Sequence, residues 1–168
     1  MSAGREKGFR LRKIHNYSGP VMKWEKEKFT ITTKKTALDI SMIHNFLTSS
    51  YWAQGIPLDR VKKSIRHSLC FGMFYEGGQI GFGRAITDYA SYAYLSDVFV
   101  VEKFRGQGLG KWLISCMLGH PDLQGLRRCM LATSDAHGLY KSFGFTALRN
   151  PERFMEIHNP AVYQSSRQ

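Results

Sequence analysis

Apolar and polar residues alternate at period two through Lys28-Phe29-Thr30-Ile31-Thr32-Thr33, which predicts a first strand. The period then lengthens. Leu38, Ile40, Ile43, Phe46 and Leu47 fall on one stripe of a helix over Thr36 to Leu47. The stretch 49–57, SSYWAQGIP, mixes aromatics with breakers and reads as a loop. Pro57-Leu58-Asp59 suits the first turn of a second helix reaching about His67, with a carboxylate near the positive end of the dipole. Two apolar runs, Leu69 to Tyr75 and Gln79 to Ile86, flank Glu76-Gly77-Gly78, a hairpin signal because tight turns of this kind need positive φ. A third run, Tyr92 to Val101, leads through a glycine-rich turn into a helix over about Leu109 to Leu118. A strand from Cys129 to Ala132, a short helix from Asp135 to Phe143 and a closing strand pair around Asn150-Pro151 complete the expected order. Hairpins first and a strand–helix–strand unit later, without internal repeat, predict a single α+β domain, a three-layer α/β arrangement of helices around a mixed central sheet.

Composition narrows the class. A chain of 168 residues, 43% hydrophobic and 22% charged, is long enough to bury one core and too apolar for a disordered chain. No apolar run approaches the roughly 20 residues that cross a bilayer, and MSAGREKGFRLRK has no apolar core after its charges, so neither a membrane span nor a secretory signal is expected. Cys70, Cys116 and Cys129 lack metal-ligand spacing and sit in apolar stretches. They read as buried free thiols of a cytoplasmic protein, with no metal site.

The net charge of +11 favours an anionic partner. Part of it lies at the start of the chain, where Arg5, Lys7, Arg10, Arg12, Lys13, Lys23 and Lys26 outnumber Glu6, Glu25 and Glu27. Residues 1–27 are therefore expected to be a basic N-terminal extension, and 28–168 the folded domain. No aromatic RNA-binding strand, helix-turn-helix pattern or zinc spacing supports a nucleic-acid module.

The chemistry concentrates in Arg105-Gly106-Gln107-Gly108-Leu109-Gly110-Lys111, between an apolar strand and an amphipathic helix. Glycines there let backbone approach a ligand, and the first N–H groups of the following helix stand unpaired at the positive end of its dipole. That is a seat for phosphate. A Walker loop is excluded, since Arg105 and Trp112 occupy positions that must be Gly and Ser or Thr. A dinucleotide fingerprint fails because Lys111 stands where its last glycine belongs.

Arg105, Gly108 and Gly110 match the Gln/Arg-x-x-Gly-x-Gly/Ala loop of the GNAT superfamily, and Val98-Phe99-Val100 resembles the strand before it. A second segment, Ala136-His137-Gly138-Leu139-Tyr140-Lys141-Ser142-Phe143-Gly144-Phe145, is similar to that family's later helix, with a tyrosine four residues after the alanine and Gly-Phe closing it. The resemblance runs from about Phe29 to the C-terminus. It departs at Thr133, where many relatives carry an asparagine that contacts the coenzyme.

The resemblance implies an acetyl-CoA-dependent N-acetyltransferase, with acetyl-CoA as acyl donor and an amine as acceptor, acting as a monomer or homodimer. It places the coenzyme against Val98, Phe99 and Val100 and against Arg105, Gly106, Gln107, Gly108, Leu109, Gly110 and Lys111. Backbone N–H groups of that strand would face the thioester oxygen. Taken alone, Tyr140 reads as a packing aromatic; in this order after Gly110 it becomes the candidate acid for the departing thiolate. Asp97 is the candidate base, although an acid inside a strand is equally a structural residue satisfied by partners. Its surroundings, Tyr94 to Val100, are similar to those of spermidine/spermine acetyltransferases, but Ser96 replaces the glutamate found there, so polyamines are expected to be poor acceptors. Tyr51, Trp52 and Tyr89 are candidate acceptor walls, and Tyr92 and Tyr94 read as packing. A small-molecule primary amine is the expected acceptor. A lysine or N-terminal protein acetyltransferase and a non-catalytic acyl-CoA-binding module are the alternatives.

Overall fold

The computed structural model describes residues 19–163. Residues 1–18, most of the expected basic extension, lie outside the described residues. Six strands form one sheet in the order β1-β2-β3-β4-β5-β6: β1 Lys23–Lys26, β2 Phe29–Thr32, β3 Leu69–Tyr75, β4 Gly78–Thr87, β5 Tyr92–Val100 and β6 Arg128–Met130. Neighbours are antiparallel except the β5–β6 pair, which is parallel and joined through helix α3, Leu109–Leu118. The sheet thus begins at Lys23, inside the stretch expected to be an extension. Lys23-Trp24-Glu25-Lys26 pairs with β2, and Trp24 packs its ring over Phe71.

Helices α1, Ile40–Ser49, and α2, Leu58–Arg66, cover one face. Ile43, Leu47, Val61 and Ile65 meet Cys70, Phe82 and Phe99 there. On the other face α3 and the short α4, His137–Lys141, bury Leu113, Ile114, Met117 and Tyr140 against Phe71, Met73, Ala85 and Leu95. Consecutive residues Cys70 and Phe71 therefore serve opposite cores, as the period-two pattern requires. The helix expected from Thr36 begins later, at Ile40, because Asp39 caps it: its side chain accepts the Met42 N–H at 2.9 Å. The β3–β4 turn sets positive φ at both Glu76 and Gly77, and the Lys28 ammonium pairs with Glu76 at 2.6 Å.

The expected closing strand pair does not form. After α4 the described chain has a single 3-10 turn, Pro151–Arg153, and leaves Met155 and Ile157 fully exposed. Pro151 lacks the N–H that a ladder needs and starts that turn instead. β6 is shorter than expected, ending at Met130 rather than Ala132.

His120 is wholly buried behind α3, its ring edge-on to Phe71 at 5.6 Å and close to Trp24. Its Nδ1 accepts the Asp122 N–H at 3.2 Å, while Nε2 has no hydrogen-bond partner among the described residues. Burial lowers its pKa below the ordinary 6.5, against a smaller opposing pull from Asp122. The folded state therefore keeps the ring neutral where the unfolded chain protonates it. Stability is full above about pH 6.5 and falls as pH drops below it, through the folded pKa. His120→Phe fits among the same aromatic neighbours and flattens that slope, measurable as urea midpoints between pH 5 and 7.

Candidate active site

The site follows from where β5 loses its partners. β6 pairs with β5 only from Tyr92 to Tyr94, so from Leu95 onward the outer edge of β5 has no neighbouring strand among the described residues. On its other side the β4–β5 register slips: Phe82 pairs with Phe99 and Arg84 with Ser96, so Asp97 and Val98 together oppose Gly83. This is a β-bulge, and Asp97 takes a left-handed backbone, φ 55°. Gly83 stands opposite it, where a Cβ would meet the Met117 sulfur at 2.8 Å and push that side chain aside. The splay opens a cleft of about 560 Å³ between the α1–α2 loop and the segment after β6.

Asp97 sits in the floor, 9% exposed. Arg84 donates to its Oδ2 through Nε at 2.6 Å, and to Ser68 and Ser96 hydroxyls through its other two nitrogens. The Asp97 Oδ1 accepts the Trp52 indole N–H at 3.2 Å and the Ser96 hydroxyl at 3.3 Å. Both carboxylate oxygens are thus engaged, and the indole is anchored as a wall of the cleft. Ser96, which stands where polyamine acetyltransferases carry glutamate, works inside this network. Asp97→Asn keeps the shape but leaves a largely buried guanidinium uncompensated. The expected loss in unfolding free energy is about 2 kcal/mol, less than the 3–5 of deleting one partner outright because the amide still accepts a hydrogen bond. Urea denaturation followed by tryptophan fluorescence measures it.

Tyr140 closes the opposite wall, 8% exposed and edge-on to Phe145 at 5.7 Å. Burial, with smaller contributions from Tyr51 and Asp135, pushes its phenol up to about 12. Tyr51 stands edge-on to Trp52 at 4.9 Å, and its hydroxyl accepts the Ser134 N–H at 3.2 Å across the cleft. Thr133 caps the turn into α4: its hydroxyl accepts the Ala136 N–H at 3.0 Å. Of the strand residues expected at the coenzyme, Val98 lines the cleft, Phe99 stacks on Phe46 at 3.7 Å in one core, and Val100 is buried in the other. Phe99 and Val100 can therefore meet a ligand only through backbone.

At the end of β5, Arg105 donates from Nε to the Val100 carbonyl at 3.0 Å, which leaves the rest of its exposed guanidinium outward. Gly108 caps α3 with φ 78°, a conformation that favours glycine. A Cβ placed on Gly106, Gly108 or Gly110 meets no atom within 4 Å. These glycines therefore border space the protein itself does not fill, beside the free N–H groups of α3 and the exposed Lys111. The chemistry of these groups, unpaired N–H donors and two cations, suits an anion.

Tyr89 is not brought to the cleft. It lies in the β4–β5 turn at φ 61° and lines a separate cavity of about 230 Å³ with Thr33 and Asp122. Tyr94 and Tyr163 do line the cleft, as do Arg84 and Asp135. Tyr163 and Arg84 had no motif to mark them, because only the fold carries them there. Among the described residues no three His, Cys, Asp or Glu side chains group as a metal site. Burial raises all three thiols, Cys70 to about 12 and Cys116 to about 11, so none is an activated nucleophile.

A mixed sheet that splays at a bulge, with a glycine-rich turn leading from it into a helix, is the architecture of an acetyltransferase. Residues 66–147 match the acetyltransferase (GNAT) domain model. The chain is 50% identical to a Xanthomonas campestris protein assigned to the GNAT family, covering 80% of this chain and 96% of that one at a TM-score of 0.79. It is 29% identical over 150 residues to a Gibberella zeae protein assigned as an acetyltransferase, covering 75% of this chain and 84% of that protein. A Clostridium acetobutylicum acetyltransferase solved with acetyl-CoA shares the fold at a TM-score of 0.58 and 12% identity, over 77% of this chain and 94% of that one. The chain belongs to the GNAT family of acetyltransferases.

Proposed function

We propose that the protein transfers the acetyl group of acetyl-CoA to a primary amine of a small molecule by direct attack. The observation that carries this is the cleft itself: an unpaired β5 edge running from the bulge at Asp97 to the glycine seat at Gly108 and Gly110. When bound, acetyl-CoA supplies an activated thioester, whose carbonyl carbon bonds to the amine nitrogen while its C–S bond breaks and the thiol leaves with one of the nitrogen's protons. The unpaired backbone beside Val98 offers N–H donors to the oxyanion as charge develops. Arg105 and Lys111 complement the pyrophosphate. Tyr140 holds its proton at the sulfur. Asp97 acts as a positioning residue, since its oxygens are committed to Arg84, Trp52 and Ser96.

Tyr51 and Trp52, packed edge-on as one wall of the cleft, suit an amine with a compact apolar body. The test is thiol release with acetyl-CoA over small amines, amino acids, polyamines and basic peptides. Small amines are expected to give the highest kcat/KM. Turnover confined to peptides would replace this reading with protein acetylation.

A further inference from the structure

The charges lining the cleft do not cancel. Arg84 and Asp97 neutralise each other as a close pair. Among the described residues the remaining charged side chain of the lining is Asp135, which is exposed. Its Oδ1 takes a single long hydrogen bond, 3.4 Å, from Thr133, and its Oδ2 has no partner among the described residues. This carboxylate is also set beside the aromatic wall. The neighbouring Ser134 N–H is held by the Tyr51 hydroxyl, Tyr51 packs on Trp52, and Trp52 is pinned by Asp97. In a chain of net charge +11, an isolated negative charge at the end of a braced aromatic pair is a recognition element for a cation.

We propose that this cleft selects a monocationic amine with an aromatic body and no anionic substituent, and that Asp135 receives its ammonium group. The proposal rests on the small-amine reading above. The ring lies against Tyr51 and Trp52, and the nitrogen is directed to Asp135. One proton passes to solvent along the exposed carboxylate, and the neutral nitrogen then attacks. An acceptor carrying its own carboxylate or phosphate would set that anion in a cleft whose one guanidinium among the described residues, that of Arg84, is already paired. A polyamine would leave its further cations without a partner.

The experiment compares phenethylamine with phenylalanine, which differ by one carboxylate, and with glucosamine 6-phosphate and spermidine. Wild-type protein and Asp135→Asn are measured side by side by thiol release. Phenethylamine is expected to exceed phenylalanine at least tenfold in kcat/KM. Asp135→Asn is expected to raise the phenethylamine KM about tenfold, the value of one charged hydrogen bond. Its acetyl-CoA affinity should be unchanged by calorimetry, and the margin over phenylalanine should shrink. Equal use of the two compounds by the wild type, or an unchanged phenethylamine KM in Asp135→Asn, overturns the proposal while leaving the small-amine reading intact. Thiol release with basic peptides and with none of the four small amines defeats the small-amine reading itself, and this proposal with it. The comparison within the wild type needs no variant, so it stands even if Asp135→Asn folds poorly.

Discussion

Gly110→Asp is expected to weaken acetyl-CoA binding by about thirtyfold or more without harming the fold. Gly110 is the second residue of α3, its φ is not in the left-handed region, and a Cβ there meets nothing within 4 Å. A carboxylate at that position interacts favourably with the helix dipole, by about 0.3–1 kcal/mol, so thermal stability should hold or rise slightly. The same charge would lie where the pyrophosphate must sit. Unit charges 4 Å apart near a protein surface repel by about 4 kcal/mol, and even half of that surviving solvent screening gives more than an order of magnitude. Displacement of phosphate from the helix N–H groups adds to the loss. Calorimetry with acetyl-CoA reads the affinity and a melting curve reads the fold. An unchanged dissociation constant in the folded variant would remove the glycine seat from the coenzyme site. Gly110→Ala, which adds bulk without charge, separates the two causes.

Tyr140→Phe is expected to lower kcat about a hundredfold with acetyl-CoA affinity nearly unchanged. The phenol is buried and lifted to about 12, so it stays protonated wherever the enzyme is assayed. A phenol that weak does not hand its proton over completely to a thiolate of pKa about 8.5. Its contribution is a hydrogen bond to the sulfur as charge develops, which puts the effect at the low end of the 10²–10⁴ expected of acid catalysis. The ring stays, edge-on to Phe145, so stability changes little. Because the active form is the protonated one, the wild-type-to-variant rate ratio should be flat from pH 7 to 10. A tyrosine at the ordinary value of about 10 would already have lost half its advantage at the upper limit. Equal losses in binding and turnover would make Tyr140 a binding residue. An undiminished rate, with chemistry limiting, would exclude it from the mechanism.

Much of the architecture was legible along the chain because its causes are local. Period-two and helical stripes marked β2 to β5 and α1 to α3, glycine marked turns, proline with a first-turn carboxylate marked the start of α2, and the Arg105–Lys111 loop with the Tyr140 segment marked the family. Misses occurred where the cause is a neighbour. Lys23–Lys26 has no pattern of its own and becomes a strand only against β2, while the segment around Asn150-Pro151 has strand-like residues but finds no ladder. The sequence by itself marked most of the elements and singled out the Arg105–Lys111 loop and Tyr140 as candidates, since each rests on a few contiguous residues. Tertiary structure alone decided the acceptor side. The ion pair of Arg84 with Asp97 arises across two strands at a bulge, and Tyr51 meets Ser134 over a separation of 83 residues. Tyr89, three residues from Tyr92 in sequence, is carried to another cavity by a left-handed turn. Pairings of that range depend on the register and splay of the whole sheet, which no local period encodes.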